Sequence, residues 1–421
     1  MYILGVNISH EPSACLLKDG EVVYFSEEER LTGIKNPEGS VDEIFAEYDD
    51  SGKILEICHQ VDAIKKYTTW IDYIIFSSYG RDRQDDDDVV RNSFLRGLQN
   101  GGVNFNTSMF YSDNHHIYHA ANAFFASGFD DAAALVLDGG GAFDTKYREE
   151  VTSEKYEYPF REIESIFNCS YDFPFFETKF KHCSILDALG DEMSGEEEIF
   201  WKRSKNEIYS RTRSCGDLFN MICGLFEMHG GTEAGKVMGL SGHRLSSDNL
   251  EENKHVFRNY EKEKPIFIKD WFMENEGVDI TVYDLFKHFE EFIAGIDPDE
   301  YDAAMGSRGI NTEFNNPTLD FYICASLADK LQTVTFIHTC NLIKKALDIT
   351  GKNKIVLSGG YFLNCVNNYK YTKAFPNVEF FVDPIAHDAG TAIGAAKYLW
   401  YGMTKSKDKF PFKHLYFGPS A

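Results

Sequence analysis

Continuous and alternating runs of hydrophobic residues near the N-terminus predict three strands. The segment YILGVNIS at 2–9 is an apolar run typical of a buried strand, and the Pro-containing turn HEPSA follows it. The next two segments, ACLLKDG and EVVYFSEEE, meet at Asp19–Gly20, a dipeptide that favours a two-residue hairpin turn. The chain is therefore expected to begin with a strand, a turn and a β-hairpin.

A similar order of patterns begins again at residue 132. The segment AAALVLDGGG is an apolar run that ends in Asp138 and three glycines. Two further segments, FDTKYREEV and YEYPFREIESIFN, are candidates for the next two strands. We expect two copies of one strand-turn-hairpin unit, with a similarity too loose for a solenoid repeat.

The other hydrophobic patterns alternate between strand and helix. WIDYIIFSSYG predicts a buried strand, and HHIYHAANAFFASGF predicts a helix closed by Gly128, because its apolar positions recur at helical spacing. Towards the C-terminus, KIVLSGGYFLN predicts a strand, a glycine turn and a helix start. NVEFFVDPIA and HDAGTAIGAAKYLWYG predict a further strand and a helix of small residues.

This alternation predicts an α/β protein of more than one lobe. We predict a first lobe at 1–131, a second lobe at 132–400 and a linker or C-terminal tail at 401–421. A mainly helical insertion is predicted at about 165–345, where YDLFKHFEEFIAGI and a long amphipathic segment ending near Gly351 show helical spacing.

Charge and cysteine content narrow the class of protein. A formal net charge of -25 makes long nucleic acid and anionic membranes unlikely partners, because proteins that bind them need a basic surface. The nine cysteines include no Cys-x-x-Cys pair, which favours reduced thiols. No apolar run is long enough for a membrane helix and no signal peptide is visible, so we expect a cytoplasmic protein.

Two histidines, His115 and His119, lie one helical turn apart in a segment predicted to be a helix. Residues i and i+4 share a helix face, so the two imidazoles can point at one metal ion. The same spacing also occurs on ordinary helix surfaces. No Glu follows His115, so the H-E-x-x-H pattern of metalloproteases is missing.

Two aspartates can complete a ligand set with these histidines. Asp138 lies where a predicted strand meets three glycines, at the kind of strand end where open α/β sheets bind ligands, although it can also simply form the turn. Asp388 lies before a predicted helix, where it can cap the helix, bind a metal or do both. Two imidazoles and two carboxylates suit Fe(II), Zn(II) or Mn(II) better than a metal that prefers thiolates.

Glycine-rich loops are candidates for nucleotide binding. The sequence SGG at 358–360 can bring phosphate close to free amides, or it can be a tight turn without a ligand. The loop GTEAGKVMGLSG carries Lys236 but lacks Walker spacing. Near the N-terminus, His10 can be an acid-base group or a turn hydrogen-bond partner, and Lys35 can bind an anion or be solvated.

Taken together, these motifs resemble the O-carbamoyltransferase family of nodulation factors and antibiotics, and the related tRNA threonylcarbamoyl-transfer proteins. The matching stretches occur in the family's order over nearly the whole chain. They are ILGVNISHEPSACLLKDGEVVYFSEEERLTGIK, HHIYHAANAFFASGFDDAAALVLDGGG, EAGKVMGLSG, LSGGYFLN and DPIAHDAGTAIGAA. The stretch GLSGHR departs from the family's usual ending of the lysine loop.

The resemblance implies a duplicated actin-like ATPase fold, also called the ASKHA fold, with two lobes and a nucleotide between them. It implies that His115, His119, Asp138 and Asp388 are ligands of Fe(II) or another divalent transition metal. It implies a catalytic role for His10, with Lys35 nearby. The residues implied to lie near ATP or AMP are Gly139, Gly140, Lys236, Gly359, Gly360 and Asn364.

The resemblance also implies an activity. Active members usually carry a C-terminal YrdC-like domain that joins carbamoyl phosphate and ATP into carbamoyl adenylate. The actin-like domain then transfers the carbamoyl group to a hydroxyl of a small-molecule acceptor. This chain stops about where the family's linker to the second domain begins, so we expect that a YrdC-like domain or subunit is a partner. A kinase-like phosphotransferase and a non-catalytic nucleotide-binding protein of the same fold are the alternatives.

Overall fold

The protein is described from a computed structural model of the chain. The residues that it describes are 1–9, 11–33, 46–48, 54–56, 58–78, 84–106, 109–111, 114–144, 160–184, 200–203, 206–210, 214–226, 228, 233–243 and 317–418. Two of the predicted site residues, His10 and Lys35, lie outside these ranges, as does the predicted helical segment YDLFKHFEEFIAGI.

The described strands and helices follow in chain order. The strands are β1 (Tyr2–Asn7), β2 (Ser13–Lys18), β3 (Glu21–Glu27), β4 (Ala46–Tyr48), β5 (Ile54–Glu56), β6 (Trp70–Ile71), β7 (Tyr73–Ser77), β8 (Asn104–Phe105), β9 (Met109–Tyr111), β10 (Asp131–Leu137), β11 (Phe143–Asp144), β12 (Phe160–Ser170), β13 (Phe176–Ser184), β14 (Phe200–Arg203), β15 (Glu207–Ser210), β16 (Lys354–Ser358) and β17 (Glu379–Val382). The α-helices are α1 (Glu29–Thr32), α2 (Val61–Lys65), α3 (Gln84–Asn100), α4 (His115–Ser127), α5 (Cys215–Leu225), α6 (Ala234–Leu240), α7 (Pro317–Thr350), α8 (Cys365–Ala374) and α9 (Gly390–Thr404).

The first sheet has five strands in the order β3-β2-β1-β7-β9. β1 pairs antiparallel with β2, and β2 pairs antiparallel with β3. β7 and β9 continue the sheet in parallel on the other side of β1. Asp19 and Gly20 both have positive φ, 51° and 91°, which is the conformation that a two-residue hairpin turn between β2 and β3 requires. The predicted hairpin is therefore confirmed.

The second sheet repeats this arrangement. Its order is β14-β15-β13-β12-β10-β16-β17, and β11 pairs with β12. β10 pairs antiparallel with β12 and β12 with β13, whereas β16 and β17 continue in parallel beyond β10. Five neighbouring strands of this sheet, in the order β13-β12-β10-β16-β17, thus have the same order and directions as the strands of the first sheet. This repeated topology confirms the predicted duplicated α/β fold of the actin-like type.

Each half also ends in a helix that packs on the other half's sheet. α4 follows the first sheet in sequence but contacts β10 and β16 of the second, whereas α9 follows the second sheet and contacts β1, β2 and β7 of the first. The two helices also pack against each other. A Cβ at Gly394 of α9 would lie 1.9 Å from the carbonyl oxygen of Tyr118 in α4, so the close approach of the helices requires glycine there.

The described residues fall into two compact units. Residues 1–210, 346–363 and 375–421 form the first, which contains both sheets, and residues 211–345 and 364–374 form the second. This partition differs from the predicted lobes at 1–131 and 132–400, which stay a prediction.

The described residues between 165 and 210 contradict the prediction that the insertion is mainly helical from about residue 165. They include most of β12 and all of β13, β14 and β15. The reason is tertiary: the polar and apolar residues of FETKFKHCS satisfy their backbone groups by pairing with β12 and β15. From Cys215 onwards the longer regular elements that the structure describes in the second unit are the helices α5, α6, part of α7 and α8.

The described C-terminal residues pack within the first unit, and their assignment as a linker or a C-terminal tail stays a prediction. α9 continues to Thr404, and the described residues 405–418 follow it. The buried ammonium group of Lys397 donates to the carbonyl oxygen of Phe410 at 2.8 Å. Backbone hydrogen bonds join Phe412 to Ala126 of α4 and Phe417 to Phe25 of β3. Residues 405–418 therefore contact elements of both halves.

Two expectations about the environment of the chain can be compared with the structure. All nine cysteines are described, none forms a disulfide, and eight of them are buried. Among the helices that the structure describes, none combines the length and apolar character needed to cross a membrane.

Candidate metal centre

The two histidines of α4 share one buried face of the helix. His115 and His119 are fully buried, and their Nε2 atoms lie 3.1 Å apart. The rings meet edge to face with centroids 4.7 Å apart. Two neutral imidazole nitrogens at this distance repel each other through their lone pairs unless a proton or a cation lies between them. The two Nε2 atoms therefore have either a proton or a cation between them.

Both predicted aspartates lie beside the histidine pair. Asp138 directly follows β10, and its Oδ2 lies 3.4 Å from Nε2 of His115. Asp388 precedes α9, and its Oδ1 lies 3.3 Å from Nε2 of His115 and 3.4 Å from Nε2 of His119. One ligand atom from each residue lies within 4.8 Å of the others, and all four side chains are buried. The structure thus brings the four predicted ligands together.

The carboxylate of Asp388 faces this cluster. The N-cap of α9 is Ala389, which makes no side-chain capping hydrogen bond. The amide and hydroxyl of Thr391 donate to the backbone carbonyl of Asp388, so its carboxylate is not engaged by them. The carboxylate of Asp388 thus lies beside both histidines, and its role as a metal ligand stays a prediction.

Without a metal ion, the charges of the cluster hold a proton on His115 tightly. Burial by itself lowers the pKa of His115, but the charge of Asp388 and hydrogen bonds to both aspartates raise it to about 10. Burial and the charge of Asp388 raise the pKa of Asp138, yet its hydrogen bond with His115 and the nearby histidine charges outweigh them and hold it below its usual range. A divalent cation would satisfy the same carboxylates and displace the proton.

The donor set fits a divalent transition metal. Two imidazole nitrogens and two carboxylate oxygens converge from buried positions, and none of them is a thiolate. The Nδ1 atoms of His115 and His119 have no hydrogen-bond partner among the residues that the structure describes. Their Nε2 atoms, rather than Nδ1, are therefore the nitrogens that meet the aspartates.

A second layer of contacts, which the sequence did not indicate, surrounds Asp388. Nδ1 of His387 donates to Oε2 of Glu11 at 2.7 Å, and the backbone amide of Asp388 donates to the same oxygen at 3.0 Å. Nε2 of His387 lies 3.5 Å from Oε1 of Glu27. Burial lowers the pKa of His387, but the two carboxylates outweigh it and raise that pKa well above its usual value. The adjacency of Glu11 to His10 and of His387 to Asp388 was the available signal.

A buried carboxylate, also missed in the sequence, supports the loop that leads to Asp388. Asp383 follows β17 and accepts hydrogen bonds from the side chains of Asn122 and Ser358 and from the amide of Ile385. Burial raises the pKa of Asp383, and the hydrogen bonds from Ile385 and Ser358 oppose the rise. Because Asn122 belongs to α4, this carboxylate ties the loop to the helix that carries the histidines.

His116 has a separate environment beside the cluster. Its Nδ1 lies 2.8 Å from Oγ of Ser165 in β12, and burial lowers its pKa to about 4. A Cβ at Gly141 would lie 2.7 Å from its ring, so the third glycine after Asp138 makes room for this histidine. His116 is therefore packed against β12 and is neutral near pH 7.

The predicted glycines border Asp138. The amide of Gly360 donates to Oδ1 of Asp138 at 3.2 Å. Gly359 has a φ of 100°, and a Cβ there would lie 2.1 Å from the carbonyl oxygen of Leu137. Gly139 and Gly140 follow Asp138 and are partly exposed, and the space beside the Cα of Gly139 is open. These four glycines lie at the same strand ends as Asp138.

The other two residues predicted near the nucleotide belong to the second unit. Oδ1 of Asn364 accepts from the amide of Asn367, which caps α8, and its side chain exchanges hydrogen bonds with Gln332. Lys236 in α6 is exposed and pairs with Glu233. Both residues therefore make local contacts within their unit, and their nucleotide roles stay predictions.

Comparison with known proteins identifies the family. The family model described as the carbamoyltransferase N-terminus matches residues 2–397, and the chain belongs to this family. The nodulation protein NolNO of Sinorhizobium fredii is 24% identical over 424 residues, which covers 97% of this chain and 49% of that protein. The nodulation protein NolO of Bradyrhizobium diazoefficiens is 35% identical over 99 residues, 23% of this chain and 17% of that protein. The chain thus spans about half the length of NolNO.

Solved structures show more distant likenesses. Full-length HypF in its phosphate- and nucleotide-bound form has a TM-score of 0.43 and 12% identity, covering 96% of this chain and 46% of HypF. Component A of the Acidaminococcus fermentans (R)-2-hydroxyglutaryl-CoA dehydratase has a TM-score of 0.40 and 11% identity, covering 96% of this chain and 98% of that one. Scores of this size lie below the value that identifies a shared fold, so the fold assignment depends on the duplicated sheets.

Proposed function

We propose that this chain transfers a carbamoyl group from carbamoyl adenylate to a hydroxyl group of a small-molecule acceptor, at a metal-nucleotide site. Membership of the carbamoyltransferase N-terminal family supports the type of reaction. The observation that carries the proposal is the buried cluster of two imidazoles and two carboxylates at strand ends bordered by glycines.

The proposed metal is Fe(II) or another divalent transition metal held by His115, His119, Asp138 and Asp388. Such an ion supplies Lewis-acid stabilisation of negative charge on a phosphate or carbamoyl oxygen. The chain's own residues would do the rest. Gly139 and Gly140, which are partly exposed, and Gly359 and Gly360 at the neighbouring strand end would border the phosphate of the adenylate. The amides of Gly359 and Gly360 already donate to the carbonyl oxygen of Ala386 and to Oδ1 of Asp138, so they hold this loop in place.

The bond changes of the proposed reaction balance without another reactant. The acceptor oxygen forms a bond to the carbamoyl carbon, and the bond from that carbon to the phosphate oxygen breaks, so that AMP leaves. The hydroxyl proton passes to a base. We assign this role to His10 because imidazole titrates near neutral pH, and we propose Lys35 as a second catalytic residue. Asn364 and Lys236 would contact the nucleotide or its phosphates.

The carbamoyl adenylate needs a separate source in this proposal. Relatives such as NolNO are about twice as long as the matched region, with 49% of NolNO covered. We assign its synthesis from carbamoyl phosphate and ATP to a YrdC-like domain or subunit. The acceptor is proposed to be a neutral or cationic small molecule, since a net charge of -25 disfavours a polyanion.

The first test combines metal analysis with a transfer assay. Protein purified without oxygen should contain one transition-metal ion per chain, and His119→Ala should contain almost none. With a YrdC-like protein, carbamoyl phosphate, ATP and a panel of hydroxyl acceptors, the wild type should release AMP and form a carbamoylated product, whereas His119→Ala should not. His59→Ala is a matched control, because His59 pairs with Glu28 outside the cluster.

Three outcomes would contradict the proposal in different ways. Metal-free wild-type protein that still transfers carbamoyl groups would remove the metal from the function. ATP hydrolysis or phosphorylation with Mg²⁺ alone would select the kinase-like alternative. Tight nucleotide binding without transfer, even when carbamoyl adenylate is supplied, would select a non-catalytic nucleotide-binding protein.

A further inference from the structure

The turn after β1 contacts the backbone on both sides of the Asp388 side chain. Oε2 of Glu11 accepts from the amide of Asp388 at 3.0 Å. The hydroxyl of Ser13 donates to the carbonyl oxygen of Ala389 at 2.8 Å, and both groups are buried. The segment 387–389 is therefore held by the first sheet, although it belongs to the second half of the fold.

The turn is itself fixed in the first sheet. The side-chain amide of Asn7, at the end of β1, donates to the carbonyl oxygen of Glu11 at 2.8 Å and to Oγ of Ser9 at 2.9 Å. Asn7 is fully buried, and the amide of Ser9 donates back to its Oδ1 at 3.1 Å. A rigid turn of this kind transmits the position of the strand to the carboxylate of Glu11.

One oxygen of Glu11 makes both of the relevant contacts. Oε2 accepts from Nδ1 of His387 at 2.7 Å as well as from the Asp388 amide. The imidazole of His387 is also close to Glu27, so it lies between two carboxylates of the first sheet. Hydrogen bonds to charged acceptors are stronger than those between neutral groups, and the arrangement therefore restrains the peptide group that carries the Asp388 side chain.

We infer that Glu11 is a positioning residue for Asp388, which it holds through the backbone amide so that the carboxylate reaches both histidines. The inference rests on the proposed metal centre. It assigns to Glu11 a part in setting metal affinity. Partners that orient metal ligands typically change metal affinity by 10- to 100-fold when they are removed.

The test uses Co(II) as the probe metal on the full chain, because its visible d–d absorption reports ligand geometry. Glu11→Ala should lower Co(II) affinity about 10- to 100-fold and change the d–d spectrum. Glu11→Gln keeps an oxygen that can accept both N–H groups, so it should restore much of the affinity and the wild-type spectrum. Far-UV circular dichroism and the Tm of the metal-free proteins show whether each variant is folded.

Two further variants separate the direct contact from other effects. His387→Ala removes the imidazole but leaves the hydrogen bond from the Asp388 amide to Glu11, so it should weaken Co(II) binding less than Glu11→Ala does. Glu21→Ala is the matched control, because Glu21 is an exposed carboxylate of the same sheet that pairs with Lys413. It should leave both affinity and spectrum unchanged.

The outcomes distinguish this inference from the proposed function. Wild-type affinity and spectrum in Glu11→Ala, together with lost binding in His119→Ala, would overturn the role of Glu11 and leave the metal centre in place. A His387→Ala variant as weak as Glu11→Ala would overturn the direct action on the Asp388 peptide. If the wild type itself binds no Co(II), the metal centre and the inference both fail. If Glu11→Ala is unfolded, the decision falls to Glu11→Gln, where a loss of affinity of about 10-fold or more would overturn the inference, because its side-chain oxygen can still accept from the Asp388 amide.

Discussion

The two sheets of the first unit share a strand order but carry different chemistry at the ends of equivalent strands. β1 of the first sheet leads into the turn that contains Glu11, whereas β10 of the second leads into Asp138 and its glycines. β7 is followed by Ser78, and β16 is followed by Gly359 with its positive φ. The two sheets therefore have the same strand arrangement but different residues at the ends of equivalent strands.

The helices that end the two halves differ in the same way. α4 carries His115 and His119 on its buried face, whereas α9 is built of small residues and carries one buried charge, Lys397. The carboxylates beside the histidines come from the second half. Because each helix packs on the opposite sheet, the imidazoles of one half meet the carboxylates of the other. Neither half therefore contains the cluster by itself.

The largest effect is expected when one residue of the cluster is removed from either half. We expect His115→Ala and Asp388→Asn each to lower Co(II) affinity by more than about 100-fold, which exceeds the usual effect of losing an outer partner. Competition titration with a chromophoric chelator measures both constants. Wild-type affinity in either variant would mean that a single half provides the ligands.

The next largest effect is expected at the turn where the halves differ in backbone conformation. Gly359→Ala should lower the free energy of unfolding by about 4 kcal/mol, because it adds backbone strain and a clash with the Leu137 carbonyl. Gly139→Ala is the control, since no heavy atom lies within 4 Å of the added Cβ. Urea unfolding of the metal-free proteins measures both. Equal stability of the two variants would show that the turn can relax.

The free energy of unfolding is expected to depend on pH through Lys397, the buried charge of α9. Burial lowers the pKa of Lys397 from 10.5 to about 8. Between these values the unfolded chain binds more protons than the folded one, so the free energy of unfolding rises with pH there. Relative to Lys397→Met, the wild type should gain about 3 kcal/mol between pH 8 and 10.5. A constant difference measured by urea unfolding across this range would contradict the assignment.

Several features could be predicted because they depend on neighbouring residues. Asp19–Gly20 specifies its turn by conformation, and the spacing of His115 and His119 specifies a shared helix face. The strands β1, β2 and β3 follow from the pattern of hydrophobic residues. The helix α7 follows from its helical spacing, and it ends before Gly351, which has a positive φ. FETKFKHCS could not be predicted as a strand in this way, because its pairing with β12 and β15 stabilises it.

From the sequence alone followed most strands and helices outside 165–210, the duplicated strand unit, the imidazole pair and, through the family resemblance, the four residues that cluster. The tertiary structure was needed to show that Asp388 faces the histidines and that Glu11 accepts from its amide. The physical reason is the range of the interactions. Helical period and turn conformation act over a few residues, whereas contacts between Glu11 and Asp388 exist only after both sheets and their exchanged helices have packed.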